Sequence, residues 1–521
     1  MDARSNRREF LGNSASAVAA SAVAPAVLEA TEPLPDTAPR RPNIILFLVD
    51  DMGWQDTSVP FHTARTPLND KFRTPAMERL AATGVKFTQA YACCVCSPTR
   101  VSLMSGLNAA RHRVTNWTLR VNPSTDAKHP TLDFPAWNTG GLCMQPGVER
   151  TVHAVTFPAL LREAGYRTIH VGKAHLGAVG TPGADPRNLG FDVNIAGHAA
   201  GGPGSYLGSQ NFSAAWRGGD RVWDVPGLDA YHGQDIFLTE ALTLEALRQL
   251  DKAANAGNPF FLYMSHYAVH VPFAPDGRFI QRYRDAGLDE TEAMYAAIVE
   301  GMDKSLGDLL AWLDRTRLAE STAVLFMSDN GGLSAHARGG GPPHTHNAPL
   351  SSGKGSAREG GIREPMIVRW PGVTTPGATC HGPVMIEDFF PSILDIAGVT
   401  AWQDKVGIDG ASFVPLLRAG GTRAPRPFFW HYPNNWGPSG PGIGPHSAIR
   451  KGDWKLIYYH ANRAFELFNV ATDIGETTNL ADDQPERLAA MSAELAEYLD
   501  GVGAQMPADK RSGKPVPLPR P

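Results

Sequence analysis

The segment from Cys96 to Gly106 places a cysteine and an arginine at the predicted start of a helix. Ser97 belongs to a residue type that caps helices, and Pro98 suits the first turn. Cys96 would then lie at the helix N-terminus, where free backbone N–H groups and the helix dipole favour an anion. Arg100 follows one turn later, so its guanidinium can point at the same place. These residues predict a site that holds and attacks an anion; the alternative is a buried cysteine near an ordinary helix start.

Two polar pairs follow predicted buried strands. Asp50 and Asp51 come directly after one continuous apolar run. Asp329 and Asn330 come shortly after another. Ligands of α/β sheets bind at the carboxyl ends of strands, and two acidic pairs at one edge would repel each other without a cation between them. Hard oxygen ligands suit Ca²⁺ or Mg²⁺ better than zinc. The alternative is that these side chains cap ordinary strand-to-loop turns.

Further segments offer amine and imidazole side chains. Lys173 and His175 follow a predicted strand, and a spacing of two in an extended loop lets both face one pocket. His270 follows another predicted strand, and Lys354 lies in a glycine-rich loop that allows close approach of the backbone to a ligand. Each residue alone could equally be a surface lysine or a structural histidine. His266 is interpreted as structural.

The string Cys-Ser-Pro-Thr-Arg-Val-Ser-Leu-Met-Ser-Gly at 96–106 closely resembles the signature of the type I sulfatases, the formylglycine-dependent enzymes of the alkaline-phosphatase superfamily. Segments 172–177 and 352–363 resemble two further elements of that family, and the resemblance extends over most of the chain. It implies that a formylglycine-generating maturation enzyme oxidises Cys96 to Cα-formylglycine. The hydrated aldehyde would be the nucleophile: one oxygen attacks sulfur and the second expels sulfate, which divides one hard step into two.

The resemblance also implies a role for each candidate side chain. It implies one divalent ion, usually Ca²⁺ and alternatively Mg²⁺, held by Asp50, Asp51, Cys96 as formylglycine, Asp329 and Asn330. Arg100, Lys173 and Lys354 would neutralise charge on the sulfuryl oxygens, a clamp aimed at the transition state. His270 would protonate the leaving oxygen, and His175 would assist the release of sulfate.

The predicted elements that position these residues alternate between strands and helices. Continuous apolar runs predict buried strands at 43–49, 167–171, 259–264 and 323–327. This alternation favours an α/β fold. The resemblance implies a large mixed, mostly parallel sheet sandwiched by helices, as in alkaline phosphatase.

Composition shifts suggest the domain organisation. Residues 41–425 would form the catalytic domain, and residues 426–506 a small α+β subdomain with an antiparallel sheet and a covering helix. The Pro/Lys/Arg-rich stretch 507–521 predicts a disordered tail. Residues 1–30 are typical of a twin-arginine signal peptide, with an Arg-Arg pair before a short small-residue apolar run, and residues 31–40 of a linker.

The signal predicts export by the twin-arginine machinery to the periplasm or the extracellular space, with no stable membrane span in the mature chain. The chain has 521 residues, of which 42% are hydrophobic and 19% charged, an ordinary globular balance. A net charge of −4 argues against a nucleic-acid partner. Five cysteines are too few for a disulfide scaffold, and pairing among Cys93, Cys94, Cys143 and Cys380 stays open.

The sequence therefore predicts a sulfuric ester hydrolase that cleaves sulfate monoesters. One alternative is a phosphate or phosphonate monoester hydrolase of the same superfamily; another is a non-catalytic protein that binds sulfated glycans and keeps Cys96 as a thiol. Segments 116–147 and 431–445 would shape the pocket. The second is aromatic, and aromatic faces could stack on sugar rings, which favours a sulfated carbohydrate over a simple aryl sulfate.

Overall fold

The computed structural model describes residues 41–333, 347–404 and 406–520. The predicted signal peptide and linker, residues 1–40, lie outside the described residues. Within the described residues the strands are, in chain order, β1 (Asn43–Val49), β2 (Val85–Tyr91), β3 (Leu132–Asp133), β4 (Gly141–Cys143), β5 (Thr151–His153), β6 (Arg167–Gly172), β7 (Val193–Ile195), β8 (Phe260–Ser265), β9 (Thr322–Ser328), β10 (Arg363–Arg369), β11 (Ala378–Cys380), β12 (Val384–Met385), β13 (Phe428–Tyr432), β14 (His446–Lys451), β15 (Trp454–Tyr459), β16 (Phe465–Asn469) and β17 (Ala508–Asp509).

The α-helices of the same residues are α1 (Pro67–Lys71), α2 (Pro75–Thr83), α3 (Cys96–Ser105), α4 (Ala109–His112), α5 (Phe157–Glu163), α6 (Leu238–Ala256), α7 (Ile280–Asp285), α8 (Glu290–Arg315), α9 (Glu359–Ile362), α10 (Phe389–Ile396) and α11 (Pro485–Gly501). Each of the four predicted buried strands is present, as β1, β6, β8 and β9, with ends that differ by one residue at most from the apolar runs.

The main sheet has nine strands in the order β11-β2-β10-β9-β1-β8-β6-β7, and β12 pairs with β2 outside this path. Strands β9, β1, β8, β6 and β7 run parallel to one another, whereas β10 runs antiparallel to both of its neighbours. The sheet is therefore mixed and mostly parallel, which confirms the predicted fold class.

Strand β1 is central and buried on both faces. Ile45, Phe47 and Val49 pack into one hydrophobic core. The alternate residues of the strand pack into a second core on the other face of the sheet. Helices α6 and α8 contribute to the first core, and α5 and α10 to the second. Helices thus sandwich the sheet, and this double burial explains why the sequence of β1 is uniformly apolar.

The C-terminal part contains an antiparallel sheet in the order β13-β14-β15-β16. Helix α11 packs Leu495 and Leu499 against Ile449 of β14 and Leu456 of β15. These are the elements predicted for the small α+β subdomain. They belong to the same compact unit as the main sheet.

The predicted disorder of the tail is wrong for residues 507–520. Strand β17 pairs with β3, and Val516 is buried beside Leu132 and Tyr458. The hydroxyl of Tyr458 also donates a hydrogen bond to the carbonyl oxygen of Pro517 at 3.1 Å. Composition failed here because a few apolar residues of the tail complete a small core on the C-terminal sheet.

All five cysteines lie in the described residues and are free thiols, so the structure shows no pairing among Cys93, Cys94, Cys143 and Cys380. Among the described residues, no helix combines the length and the apolar character needed to cross a membrane.

Candidate active site

The candidate residues converge at the carboxyl edge of the main sheet. Asp50 and Asp51 follow β1, and Asp329 and Asn330 follow its parallel neighbour β9. Lys173 follows β6, on the other side of β8. Since parallel strands deliver their carboxyl ends to one edge, the register of the sheet brings both polar pairs to the same edge.

Cys96 reaches the same edge of the sheet at the start of helix α3, whereas the acidic residues follow strands. The helix begins at Cys96, and its N-cap is Val95, whose side chain makes no capping hydrogen bond. The prediction that Ser97 caps the helix is wrong, because its hydroxyl instead accepts a hydrogen bond from the backbone N–H of Thr118 at 3.0 Å. Cys96 thus occupies the first turn, and the whole helix is buried.

Asp50, Cys96 and Asp329 each place one ligand atom within 4.8 Å of the other two. Oδ1 of Asp50 and Oδ1 of Asn330 are buried and have no hydrogen-bond partner among the described residues. The amide nitrogen of Asn330 donates to Asp51 at 2.8 Å, which turns its oxygen away from that carboxylate. Buried acceptors without partners are costly, and these oxygens are the ligands that Ca²⁺ and Mg²⁺ prefer. The residues therefore fit a hard divalent cation.

Each of the three carboxylates is paired with one buried cation. Nζ of Lys173 lies 2.7 Å from Asp50, and Nζ of Lys354 lies 2.6 Å from Asp51. Burial alone would raise the pKa of Asp51, but the charge of Lys354, followed by that of His270, holds this pKa below its usual range. Burial raises the pKa of Asp50 well above its usual value despite the charge of Lys173. A bound cation would favour the ionised form of Asp50.

Arg100 forms the third pair. Its Nε donates to Asp329 at 2.8 Å, and its Nη1 donates to Ser265 at 2.6 Å and to the carbonyl oxygen of Lys173 at 3.1 Å. The side chain is fully buried and does not line the cavity described below. In this arrangement Arg100 orients Asp329, and its contact with a sulfuryl oxygen stays a prediction.

The hydrogen bonds of His175 show which of its two ring nitrogens carries a proton. Its Nε2 lies 2.7 Å from the carbonyl oxygen of Thr118, which can only accept, so the proton is on Nε2. Nδ1 is buried without a partner among the described residues. Burial, reinforced by the charge of Lys173, also holds the pKa of His175 well below its usual value. The free lone pair on Nδ1 suits the predicted role of a base.

His270 faces the same cavity with its other nitrogen. Its Nδ1 donates to the carbonyl oxygen of Val271 at 2.7 Å, and its Nε2 lies 3.7 Å from Oδ2 of Asp51. Burial lowers the pKa of His270 to about 3, although the charge of Asp51 opposes this shift. Nε2 of His270 therefore lies beside the carboxylate of Asp51, and the role of general acid stays a prediction for this residue.

His266, Arg358 and Arg363 make contacts outside the cluster around Cys96. His266 is fully buried and hydrogen-bonds helix α8. Arg358 pairs with Glu466 on β16, and Arg363 pairs with Glu359. The ion pair of Arg358 with Glu466 joins the glycine-rich loop of Lys354 to the C-terminal sheet.

A cavity of about 700 Å³ opens above these groups. Its polar lining includes Cys96, Asp51, His175, His270 and Lys354. Its remaining lining includes Trp117 and Trp436, from the two segments predicted to shape the pocket, and Gly201, Gly202, Arg217, Trp223, Val271, Phe273 and Met294. No motif distinguishes residues 201–223 from an ordinary glycine- and tryptophan-containing loop. Their contribution to the cavity wall was therefore not predicted from the sequence.

A family model described as Sulfatase matches residues 42–399. The chain belongs to the sulfatase family. A second family model, described as N-sulphoglucosamine sulphohydrolase, C-terminal, matches residues 354–505 and covers the C-terminal sheet and α11. This sulfatase is an enzyme that hydrolyses sulfate esters.

Individual proteins with similar sequences or structures are also sulfatases or resemble them. A protein named sulfatase from Formosa agariphila is 31% identical over 500 residues, which cover 86% of each chain. N-acetylgalactosamine-6-sulfatase from Canis lupus familiaris is 32% identical over 456 residues, 85% of this chain and 77% of the relative. The crystal structure of Ps i-CgsB in complex with k-i-k-neocarrahexaose superposes with a TM-score of 0.70 at 25% identity, covering 88% of this chain and 93% of that one.

Proposed function

We propose that this sulfatase hydrolyses sulfate monoesters of carbohydrates through a formylglycine derived from Cys96 and one divalent cation. The observation that carries the proposal is the cluster of Cys96 with Asp50 and Asp329, of which Cys96 lines the cavity. The same cavity presents Lys354, His175 and His270 to a bound ester.

A Ca²⁺ or Mg²⁺ ion would be held by Asp50, Asp51, Asp329, Asn330 and the converted residue 96. When bound, it would acidify the hydrated aldehyde and polarise a sulfate oxygen. The unpartnered oxygens of Asp50 and Asn330 support this ligand set. Without the ion, three basic side chains balance the charges of the three carboxylates. A bound divalent ion would therefore make the site strongly positive.

Conversion of Cys96 solves two chemical problems. Burial raises the pKa of its thiol, so an unconverted Cys96 would be protonated and a weak nucleophile at neutral pH. A sulfated cysteine would also have no easy route to release sulfate. With the hydrated aldehyde, one oxygen attacks sulfur and the second expels sulfate after losing its proton. We propose that Nδ1 of His175, which is buried without a partner among the described residues, accepts that proton.

Lys354 and Lys173 supply positive charge next to the acidic pair. Burial by itself would lower the pKa of Lys354, but the charge of Asp51 raises it above its usual value, so the amine stays protonated. We propose that an incoming sulfate shares Lys354 with Asp51. Lys173, which does not line the cavity, would reach a sulfuryl oxygen only after a shift from Asp50.

Aromatic walls favour a carbohydrate ester. Nζ of Lys354 lies 5.4 Å from the ring centre of Trp436, and the rings of Trp117 and Trp223 approach to 6.4 Å. Flat indole faces beside a charged centre suit a sugar that carries a sulfate. A relative named for N-acetylgalactosamine 6-sulfate and a neighbour in complex with a neocarrahexaose support the same substrate class.

Export and maturation complete the proposal. We propose that the chain is converted at Cys96 by a formylglycine-generating enzyme and leaves the cytoplasm through the twin-arginine machinery, which carries folded proteins. The arginine pair and the apolar run of residues 1–30 support this route.

The reaction class is tested with matched esters. Converted, calcium-loaded enzyme should give a specificity constant for 4-nitrophenyl sulfate at least about a hundredfold above that for the matched aryl phosphonate, a difference of about 2.7 kcal/mol in transition-state binding. Both esters release the same phenol, so the ratio reports the transferred group alone. A ratio that favours the phosphonate would replace the sulfatase proposal with the phosphonate hydrolase alternative.

The role of His270 is tested by its dependence on the leaving group. A sugar alcohol needs a proton on departure, whereas 4-nitrophenolate does not. His270→Ala should therefore lower kcat for a sulfated sugar by about 10²–10⁴-fold, as expected for loss of a general acid, and affect the aryl sulfate much less. His266→Ala, which removes a buried histidine outside the cavity, is the matched control for structural damage. Equal losses of kcat on both esters would show that His270 is not the acid.

A further inference from the structure

Among the residues that the structure describes, Arg217 is a cation of the cavity wall without an acidic partner. Its side chain is exposed and lines the same cavity as Cys96 and Lys354. Among the described residues no carboxylate lies within salt-bridge distance of its guanidinium. By contrast, the other fully charged groups of the lining, Asp51 and Lys354, are paired with each other.

The acids nearest to Arg217 in the chain are already bound to other arginines. Asp220 pairs with Arg120 at 2.6 Å. Asp224 pairs with Arg221. Both acids of this stretch are therefore engaged by other arginines, and Arg217 lines the cavity without either of them.

The backbone that presents Arg217 is held in place. Residues Ala214–Arg217 form a 3₁₀ turn whose first N–H groups donate to Asp224 at 2.8 Å and to Ser213 at 3.1 Å. The turn ends at Gly218 in the left-handed conformation, with φ of 63°. The indole N–H of Trp216 donates to the carbonyl oxygen of Gly204 at 3.0 Å, and the guanidinium lies 5.9 Å from the centre of that indole ring.

We infer that Arg217 binds a second anionic group of the substrate, so that the preferred substrate is a glycan carrying another sulfate or a carboxylate besides the ester that is cleaved. A guanidinium pairs with a sulfate or a carboxylate through two parallel hydrogen bonds. The inference deepens the proposed function and rests on it, because it presumes that the reacting sulfate lies at Cys96.

Binding to protein that cannot turn over tests the inference. Full-length Cys96→Ala protein in calcium buffer is titrated by calorimetry with two matched pairs. The first is κ-neocarrabiose and ι-neocarrabiose, which differ by one sulfate on the neighbouring ring. The second is glucuronyl-N-acetylgalactosamine 6-sulfate and its glucuronate methyl ester, which differ by one carboxylate charge. The two pairs distinguish a second sulfate from a carboxylate.

In at least one pair, the ligand with the extra charge should bind about tenfold more tightly, the effect of one charge-assisted contact. Adding Arg217→Gln should reduce this preference to about twofold or less. Arg217→Lys should retain part of it, because lysine keeps the positive charge and loses only the two parallel hydrogen bonds of the guanidinium. Arg511→Gln, which removes an exposed arginine that does not line the cavity, should leave it unchanged.

A preference that survives Arg217→Gln, or its absence from both pairs, would overturn the inference. Because the titrations need no catalysis, failure of converted enzyme to hydrolyse sulfate esters would refute the proposed chemistry separately.

Discussion

Replacement of Cys96 by alanine is expected to abolish the hydrolysis of sulfate esters and to leave the fold intact. The variant lacks the thiol that the maturation enzyme oxidises, so the proposed nucleophile cannot form, and loss of a covalent nucleophile costs about a millionfold in kcat. The side chain is small and lies in the first turn of α3, so its truncation should leave the helix in place. Turnover of 4-nitrophenyl sulfate and the thermal midpoint, measured on the same preparation, check both expectations.

Two matched substitutions sharpen this test. Cys143→Ala removes another buried cysteine, one that does not line the cavity, and should retain activity. Cys96→Ser keeps a single oxygen that can attack sulfur but lacks the second one that expels sulfate. We therefore expect at most one sulfuryl group per molecule, detected as a stable mass adduct, and no turnover. Turnover near that of the wild-type enzyme in Cys96→Ala would contradict the mechanism.

Asp50→Asn is expected to remove the stabilisation of the protein by calcium together with its activity. In the wild-type enzyme, free Ca²⁺ at a hundred times its Kd should raise the free energy of unfolding by about 2.7 kcal/mol. The variant loses a charged oxygen ligand, so this gain should largely disappear, and turnover should fall by about a thousandfold or more. Thermal unfolding in calcium and in chelator measures the gain directly.

The same substitution also leaves Lys173 buried without its carboxylate, which costs about 3–5 kcal/mol whether or not calcium is present. Asp388→Asn is the matched control, because Asp388 is a buried carboxylate paired with Arg423 and Arg426 away from the cavity. That variant should be destabilised yet keep its full response to calcium. If Asp50→Asn also kept the full response, the cation would not be bound where the proposal places it.

The sequence predicted those parts of the fold that depend on local pattern. The apolar run of β1 predicted a strand buried on both faces, and the rule for parallel strands placed Asp50 and Asp329 at one edge. The sequence did not predict which strands are neighbours. That β9 lies directly beside β1, and so brings the two acids within reach of Cys96, follows from the packing of the whole sheet.

Predictions failed where long-range contacts outweighed local preference. Ser97 is a good capping residue, but its hydroxyl accepts a hydrogen bond from the backbone N–H of Thr118, and α3 begins one residue before it. The polar tail is ordered because Val516 packs into a small hydrophobic core. The tautomer of His175 depends on one backbone carbonyl oxygen that is 57 residues away in sequence. The wall that carries Arg217 is made of turns whose path is set by their contacts with the rest of the chain.

The most direct test of the account is the chemical state of residue 96. Tryptic cleavage after Lys86 and Arg100 releases one peptide, which contains Cys93, Cys94 and Cys96. The protein is produced with a formylglycine-generating enzyme, reduced and alkylated, and this peptide is analysed by mass spectrometry. The account predicts two alkylated cysteines and an aldehyde at position 96. Three alkylated cysteines in protein that hydrolyses sulfate esters would contradict it, since the nucleophile would then be another group.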